Sequence, residues 1–158
     1  MLIKKVTRRQ FIELAGLISV SKCVNATPKT LPTTTSLSIS LAAALQAKKS
    51  LLVMVSLDGC PFCKIAREHY LIPLHEQHNQ PIVQINMRSR QKITDLNGID
   101  STHEQLIRSW GIKVAPTVLF LGRQGIELAD RLSGAYIPDF YGAYLDERVK
   151  KANSQIII

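Results

Sequence analysis

The chain has 158 residues, 46% of them hydrophobic and 20% charged, which suits one domain with its own core and excludes a wholly disordered chain. Half of the formal +8 charge sits in the first 26 residues, where Lys4, Lys5, Arg8, Arg9 and Lys22 face only Glu13; the rest is spread thinly, against the one-faced basic patch of a nucleic-acid binder. The three cysteines, Cys23, Cys60 and Cys63, are too few and too closely placed to staple a small secreted scaffold.

The head of the chain reads as a targeting segment. Thr7-Arg8-Arg9-Gln10-Phe11-Ile12 resembles the twin-arginine export signal of bacteria. A short apolar run, Leu14 to Val20, follows it, and Val24-Asn25-Ala26 supplies a small-residue cleavage pattern. Glu13 and Lys22 bracket the run, which is too short to span a bilayer as a helix. Residues 1–26 are therefore expected to direct export to the periplasm; a cytoplasmic protein with an amphipathic N-terminal helix is the alternative. A lipid anchor on Cys23 is disfavoured, because Lys22 stands where a lipobox needs a small residue. Residues 27–36, rich in Thr, Ser and Pro, read as a linker.

The folded body is expected over residues 37–153, with 154–158 as a tail. Leu37 to Lys49 is Ala- and Leu-rich and predicts a first helix. Leu51 to Leu57 is a continuous apolar run, as in a strand buried on both faces. Asp58-Gly59 ends it. A helix follows from Pro61 to Leu71, where Pro73 is expected to break or kink it. Pro81 to Met87 predicts a second strand, parallel to the first across the helix. Arg88 to Asp100 is polar and reads as a loop. Ser101 to Trp110 predicts a helix, with Ser101 as N-cap, Glu104 three residues on, and Gly111 past its end. Thr117 to Leu121 is a third strand. A Gly122–Gly125 turn leads to Ile126–Leu132, which alternates like a half-exposed strand and stops at Gly134. Pro138 to Ala152 predicts the last helix, with Phe140, Tyr141, Tyr144, Leu145 and Val149 at helical spacing. The result is an α/β chain in which a βαβ unit precedes a ββα unit.

Cys60-Pro61-Phe62-Cys63 falls where a buried strand ends and a helix begins. There the first backbone N–H groups lack partners and the helix dipole is positive, so a thiolate is stabilised. Pro61 suits the first helical position, where a missing N–H costs nothing. An ordinary thiol titrating near pH 8.5 is about 3% thiolate at pH 7, and lowering that value to about 7 makes it half thiolate. Cys60 would then be the nucleophile and Cys63, one turn in, the resolving thiol. Half of a zinc site is the competing reading. It needs two further ligands from His69, His75, His78 and His103, and no second CxxC exists. These histidines are expected to face solvent; a His69 within reach of the thiols is the disfavoured alternative.

Trp110-Gly111-Ile112-Lys113-Val114-Ala115-Pro116-Thr117-Val118-Leu119-Phe120 closely resembles the cis-proline segment of thioredoxins, in its Gly-Ile-x-x-x-Pro-Thr order. With strand–CxxC–helix upstream, it gives the chain a resemblance to the thioredoxin superfamily, and in particular to small exported thioredoxin-related proteins. The resemblance implies a thioredoxin-like fold, a central mixed sheet flanked by helices. It implies a cis Ala115–Pro116 bond beside the thiols, with Ala115 offering its backbone to an extended substrate and Pro61 and Phe62 flanking it. It also implies no cofactor beyond a redox-active Cys60–Cys63 disulfide. Two positions depart from the pattern. Thioredoxin's Trp before the first cysteine is Gly59, and its buried acid falls on Met54.

The expected activity is thiol–disulfide exchange on protein disulfides or dithiols, in an undetermined direction. The expected partners are protein thiol or disulfide substrates and an electron-exchanging protein of the membrane or periplasm. The chain is expected to act as a monomer without nucleic acid or metal. The alternatives are a glutaredoxin-like, glutathione-dependent enzyme, which the Pro-Phe dipeptide suggests, and a redox-inactive binding or chaperone module.

Overall fold

A computed structural model of the chain describes residues 30–134 and 138–156. Strand β1 (Leu51–Ser56) is its central element, buried at every position. Its residues alternate between two cores, as pleating requires. Leu52 and Met54 enter one apolar cluster, and Leu51, Val53 and Val55 enter another. The helices α1 (Leu37–Gln46) and α4 (His103–Ser109) cover the second face. The helical run after β1 and the final helix α5 (Pro138–Ile156) cover the first.

The sheet has the order β2-β1-β5-β6. Strand β2 (Ile82–Asn86) runs parallel to β1 across the helical crossover. β5 (Thr117–Leu121) is antiparallel to β1, and β6 (Glu127–Ser133) is antiparallel to β5. This is the mixed sheet of a βαβ unit followed by a ββα unit. Strand β6 does not alternate strictly. Register shifts opposite Val118, Phe120 and Leu121 turn Ala129 and Leu132 inward, as bulges do, and leave Ile126 exposed outside the strand.

The structure corrects the reading of several segments. Arg88–Asp100 is not a plain loop. It holds most of a second, two-stranded sheet, β3 (Lys92–Thr94) and β4 (Asp100–Thr102). Asp95 makes the turn, its Oδ1 accepting the Asn97 and Ile99 N–H groups at 2.8 Å each. Ile93 is buried in the core and Leu96, partly buried, packs against it, and together they anchor the hairpin. Because Ser101 pairs with Ile93 in that hairpin, the cap of α4 is Thr102, whose side chain accepts the Gln105 N–H.

Nor does Pro73 break the helix. The run continues from α2 (Pro61–Ile65) through a π-helical turn (Ala66–Leu71) into α3 (Ile72–His78). The Ile72 N–H bonds the Arg67 carbonyl five residues back, and Pro73 then sits in the first turn of α3, where its missing N–H is tolerated. The first helix ends at Gln46 rather than Lys49, followed by Lys48 at φ 56. Helix α5 runs past residue 153, so Ser154–Ile156 is not tail, and Ile156 is buried. The described part of the expected linker is also structured. Leu31 is buried in the core, and Thr33 and Ser36 bridge to Gln84 and Thr94. Among the described residues no helix is long and apolar enough to cross a membrane.

Candidate functional site

Cys60 and Cys63 lie at the junction of β1 and α2. Gly59 takes the left-handed turn that redirects the chain, at φ 73, a conformation glycine adopts without penalty. Cys60 is then the cap residue of α2, in extended conformation, with Pro61 in the first turn. The Cys63 N–H donates to Cys60 Sγ at 3.1 Å. The two residues form a disulfide, with Cα atoms 5.3 Å apart. Their burial is unequal. Cys63 is 1% exposed and packs in the core, whereas Cys60 is only partly covered. Phe62, next to it, is exposed, as is Pro61.

The Ala115–Pro116 bond is cis, and the Ala115 carbonyl oxygen lies 3.9 Å from Cys60 Sγ. The loop is tied down at both sides. The Pro116 carbonyl accepts the Gly134 N–H at 2.7 Å, and Thr117 Oγ1 donates to the Val114 carbonyl at 2.7 Å. The fold thus brings together two motifs separated by 53 residues of sequence. Met54 is fully buried in the same cluster as Cys63, so the place of the family's buried acid is apolar here.

The histidines do not join this site. His69 is exposed and lines a different cavity, with Tyr70 and Pro73. His75 Nδ1 is 2.7 Å from the Gln80 carbonyl. Among the described residues, no three His, Cys, Asp or Glu side chains are grouped to hold a metal. His103, expected at the surface, is buried at 2% exposure. Its Nδ1 accepts the Asn86 backbone N–H at 3.2 Å, and its Nε2 is buried without a partner among the described residues.

Burial holds the His103 pKa below the usual histidine value. The unfolded chain takes up this proton near pH 6.5, and the native state takes it up only at lower pH. Stability therefore declines as pH falls from about 6.5 towards the native value, with a slope of at most about 1.4 kcal/mol per pH unit. His103→Gln is expected to remove that part of the decline. Urea midpoints of both proteins between about pH 7 and 5 measure it; parallel curves would show that His103 does not titrate differently on unfolding.

Two features escape a reading of motifs. A cavity of about 270 Å³ opens beside Cys60, lined by Leu57, Gly59, Cys60, Pro61, Lys64 and Arg67. Lys64 and Arg67 stand three apart on one helical run, a spacing that marks neighbours on a helix face. In addition, the Asn86 side-chain amide donates to the Asp58 carboxylate, so the loop before Cys60 is joined through Asn86 to buried His103.

A βαβ–ββα fold that sets a Cys-x-x-Cys pair at a strand–helix junction, facing a cis-proline loop, defines a thiol–disulfide oxidoreductase. Known proteins agree. The thioredoxin-like domain profile matches residues 37–148. Thioredoxin NaTrxh from Nicotiana alata is similar over 78% of this chain and 96% of its own, with 18% identity and TM-score 0.50. Thioredoxin f2 from Chlamydomonas reinhardtii is similar over 75% and 95%, with 18% identity and TM-score 0.51. The Schistosoma mansoni thioredoxin pre-protein is similar over 77% and 96%, with 19% identity and TM-score 0.50. Identities this low speak to the fold alone. No curated protein matches the chain by sequence. The chain belongs to the thioredoxin-like domain family.

Proposed function

We propose that Cys60 is the attacking sulfur and Cys63 the resolving sulfur in disulfide exchange with protein substrates. The carrying observation is the asymmetry of the pair: a partly exposed Cys60 whose Sγ accepts an N–H bond, above a buried Cys63. In the reducing direction the Cys60 thiolate attacks a substrate disulfide. One substrate sulfur leaves as a thiol after taking a proton, and a mixed disulfide remains. Cys63 then loses its proton and attacks Cys60. The Cys60–Cys63 disulfide forms and the second substrate thiol departs. The reverse sequence oxidises a dithiol. The Ala115 carbonyl and the exposed Pro61 and Phe62 give an extended peptide a polar and an apolar contact beside the sulfur.

The direction follows from the reduction potential. Equilibration of the purified protein in glutathione buffers is expected to give one two-electron transition. A value near −270 mV would mark a reductant of the thioredoxin kind, and one near −120 mV an oxidant. A pair that does not exchange with glutathione at all would refute the proposal. Residues 1–26 support a further part of it, export to the periplasm, where a membrane or periplasmic protein would exchange electrons with this monomer. Fused to a reporter, they are expected to carry it out of the cytoplasm. Replacement of Arg8 and Arg9 by lysine should retain it inside, and a reporter that stays in the cytoplasm with the native segment overturns this part.

A further inference from the structure

We propose that Lys64 and Arg67 form a subsite beside Cys60 for a carboxylate carried by the disulfide substrate. The proposal rests on Cys60 being the attacking sulfur. Among the described residues, the cavity beside that sulfur has two cations in its wall and no acid. The other lining groups, Leu57, Gly59 and Pro61, bring no side-chain hydrogen bond. The wall is therefore apolar on one side and cationic on the other, as suits a small anion attached to a carbon chain.

No described residue forms an ion pair with either cation. Among the described residues the ion pairs are Glu104–Arg108 and Glu127–Arg131, both without Lys64 or Arg67. The acid closest in sequence to Cys60, Asp58, is occupied by the Asn86 amide. Arg67 is held by a neutral group: its Nη1 donates to Gln84 Oε1 at 3.3 Å. Its Nε is buried and has no partner among the described residues. An anchored guanidinium keeping its full charge, half-buried, is preorganised for a carboxylate. Lys64, exposed at the rim, adds a second charge with free reach.

The anion must lie within a few atoms of the reacting sulfur. Two sources satisfy that: an Asp or Glu flanking the cysteine of a peptide, and a carboxylate of glutathione. Both are carboxylates on a disulfide, and the test separates them. Cations beside Cys60 also favour its thiolate, but that effect acts equally on every substrate. The discriminating quantity is therefore a ratio measured within one protein. Short peptide disulfides flanked by Glu or by Gln, and oxidised glutathione against its neutral diamide, are reduced by the full chain.

The wild type is expected to prefer the acidic member of at least one pair about tenfold in kcat/KM at low salt, with the preference shrinking as ionic strength rises. In Lys64→Gln/Arg67→Gln the ratio should fall to near one. Lys64→Gln alone, at an exposed position that leaves folding intact, should lower it about threefold. A preference confined to the peptides assigns an acidic side chain, and one confined to glutathione assigns the small thiol. A ratio near one in the wild type for both pairs, or a ratio that the variants leave unchanged, overturns the subsite. Continued turnover of the Gln-flanked peptide in that case leaves the role of Cys60 standing. No turnover of any disulfide refutes that role and the subsite with it.

Discussion

Cys60→Ser is expected to bring disulfide reduction down to the uncatalysed background, a fall of roughly a thousandfold or more, or about 4 kcal/mol of barrier. A hydroxyl in that place cannot attack a disulfide at neutral pH, because its proton is held far more tightly than a thiol's. Cys63 cannot replace it, being 1% exposed and packed among core residues. Cys63→Ser has a different signature. The first exchange still proceeds at Cys60, but no second sulfur is present to release the product. Mixed disulfides with substrate should therefore accumulate and vanish on adding dithiothreitol. Insulin reduction followed by turbidity and non-reducing electrophoresis reads both effects. Full activity in Cys60→Ser would sink the assignment of the nucleophile, and failure of Cys63→Ser to trap substrate would sink that of the resolving thiol.

The second large effect concerns Met54. Met54→Asp places a carboxylate at a fully buried position among Leu52, Cys63, Val118 and Phe120. An unpaired charge there costs about 3–5 kcal/mol, a large share of a total stability of roughly 5–15 kcal/mol. Burial raises the pKa of such an acid above the ordinary value of about 3.9. The native state then binds the proton more tightly than the unfolded chain does. Stability is thus lost as pH rises from about 4 to the raised native value, and the loss is complete above it. Urea midpoints of the variant should be markedly lower near pH 8 than near pH 5, relative to the wild type. Met54→Leu, close in volume, should cost less than about 1.5 kcal/mol. A Met54→Asp penalty independent of pH would mean that water reaches this position. With Met54 in that place, the proposed transfer of the Cys63 proton would fall to water or another group.

Much of this was legible in the residues. The run Leu51–Leu57, apolar at every position but Ser56, announced a strand buried on both sides, because no alternation of polar side chains marks a solvent face. Cys60-Pro61-Phe62-Cys63 and Ala115-Pro116-Thr117 were legible as a pair of motifs, and the structure puts the Ala115 carbonyl against Cys60 Sγ. What stayed hidden depends on partners distant in sequence. The β3–β4 hairpin has one buried apolar residue, Ile93, and a turn made by the Asp95 side chain, so no periodicity reveals it. His103 is buried because Asn86, 17 residues away, offers it an N–H. Arg67 gains its place beside Cys60 through the π-helical turn and through Gln84. Helical spacing alone points to Lys64 and Arg67 as neighbours, but not to the cavity they share.

The segment before α1 bears on where the protein can be cut. The family profile begins at residue 37, yet Leu31 lies in the core and the Pro32 carbonyl accepts the Gln84 N–H at 2.9 Å. These residues occupy the outer margin of β2, the terminal strand of the sheet. A protein trimmed to the family boundary would bare a row of unpaired backbone groups there, a template on which other chains add strands and aggregate. Cleavage after Ala26, as proposed above, would leave this cover in place. The packed unit thus begins at least six residues ahead of the recognisable family domain, at Leu31.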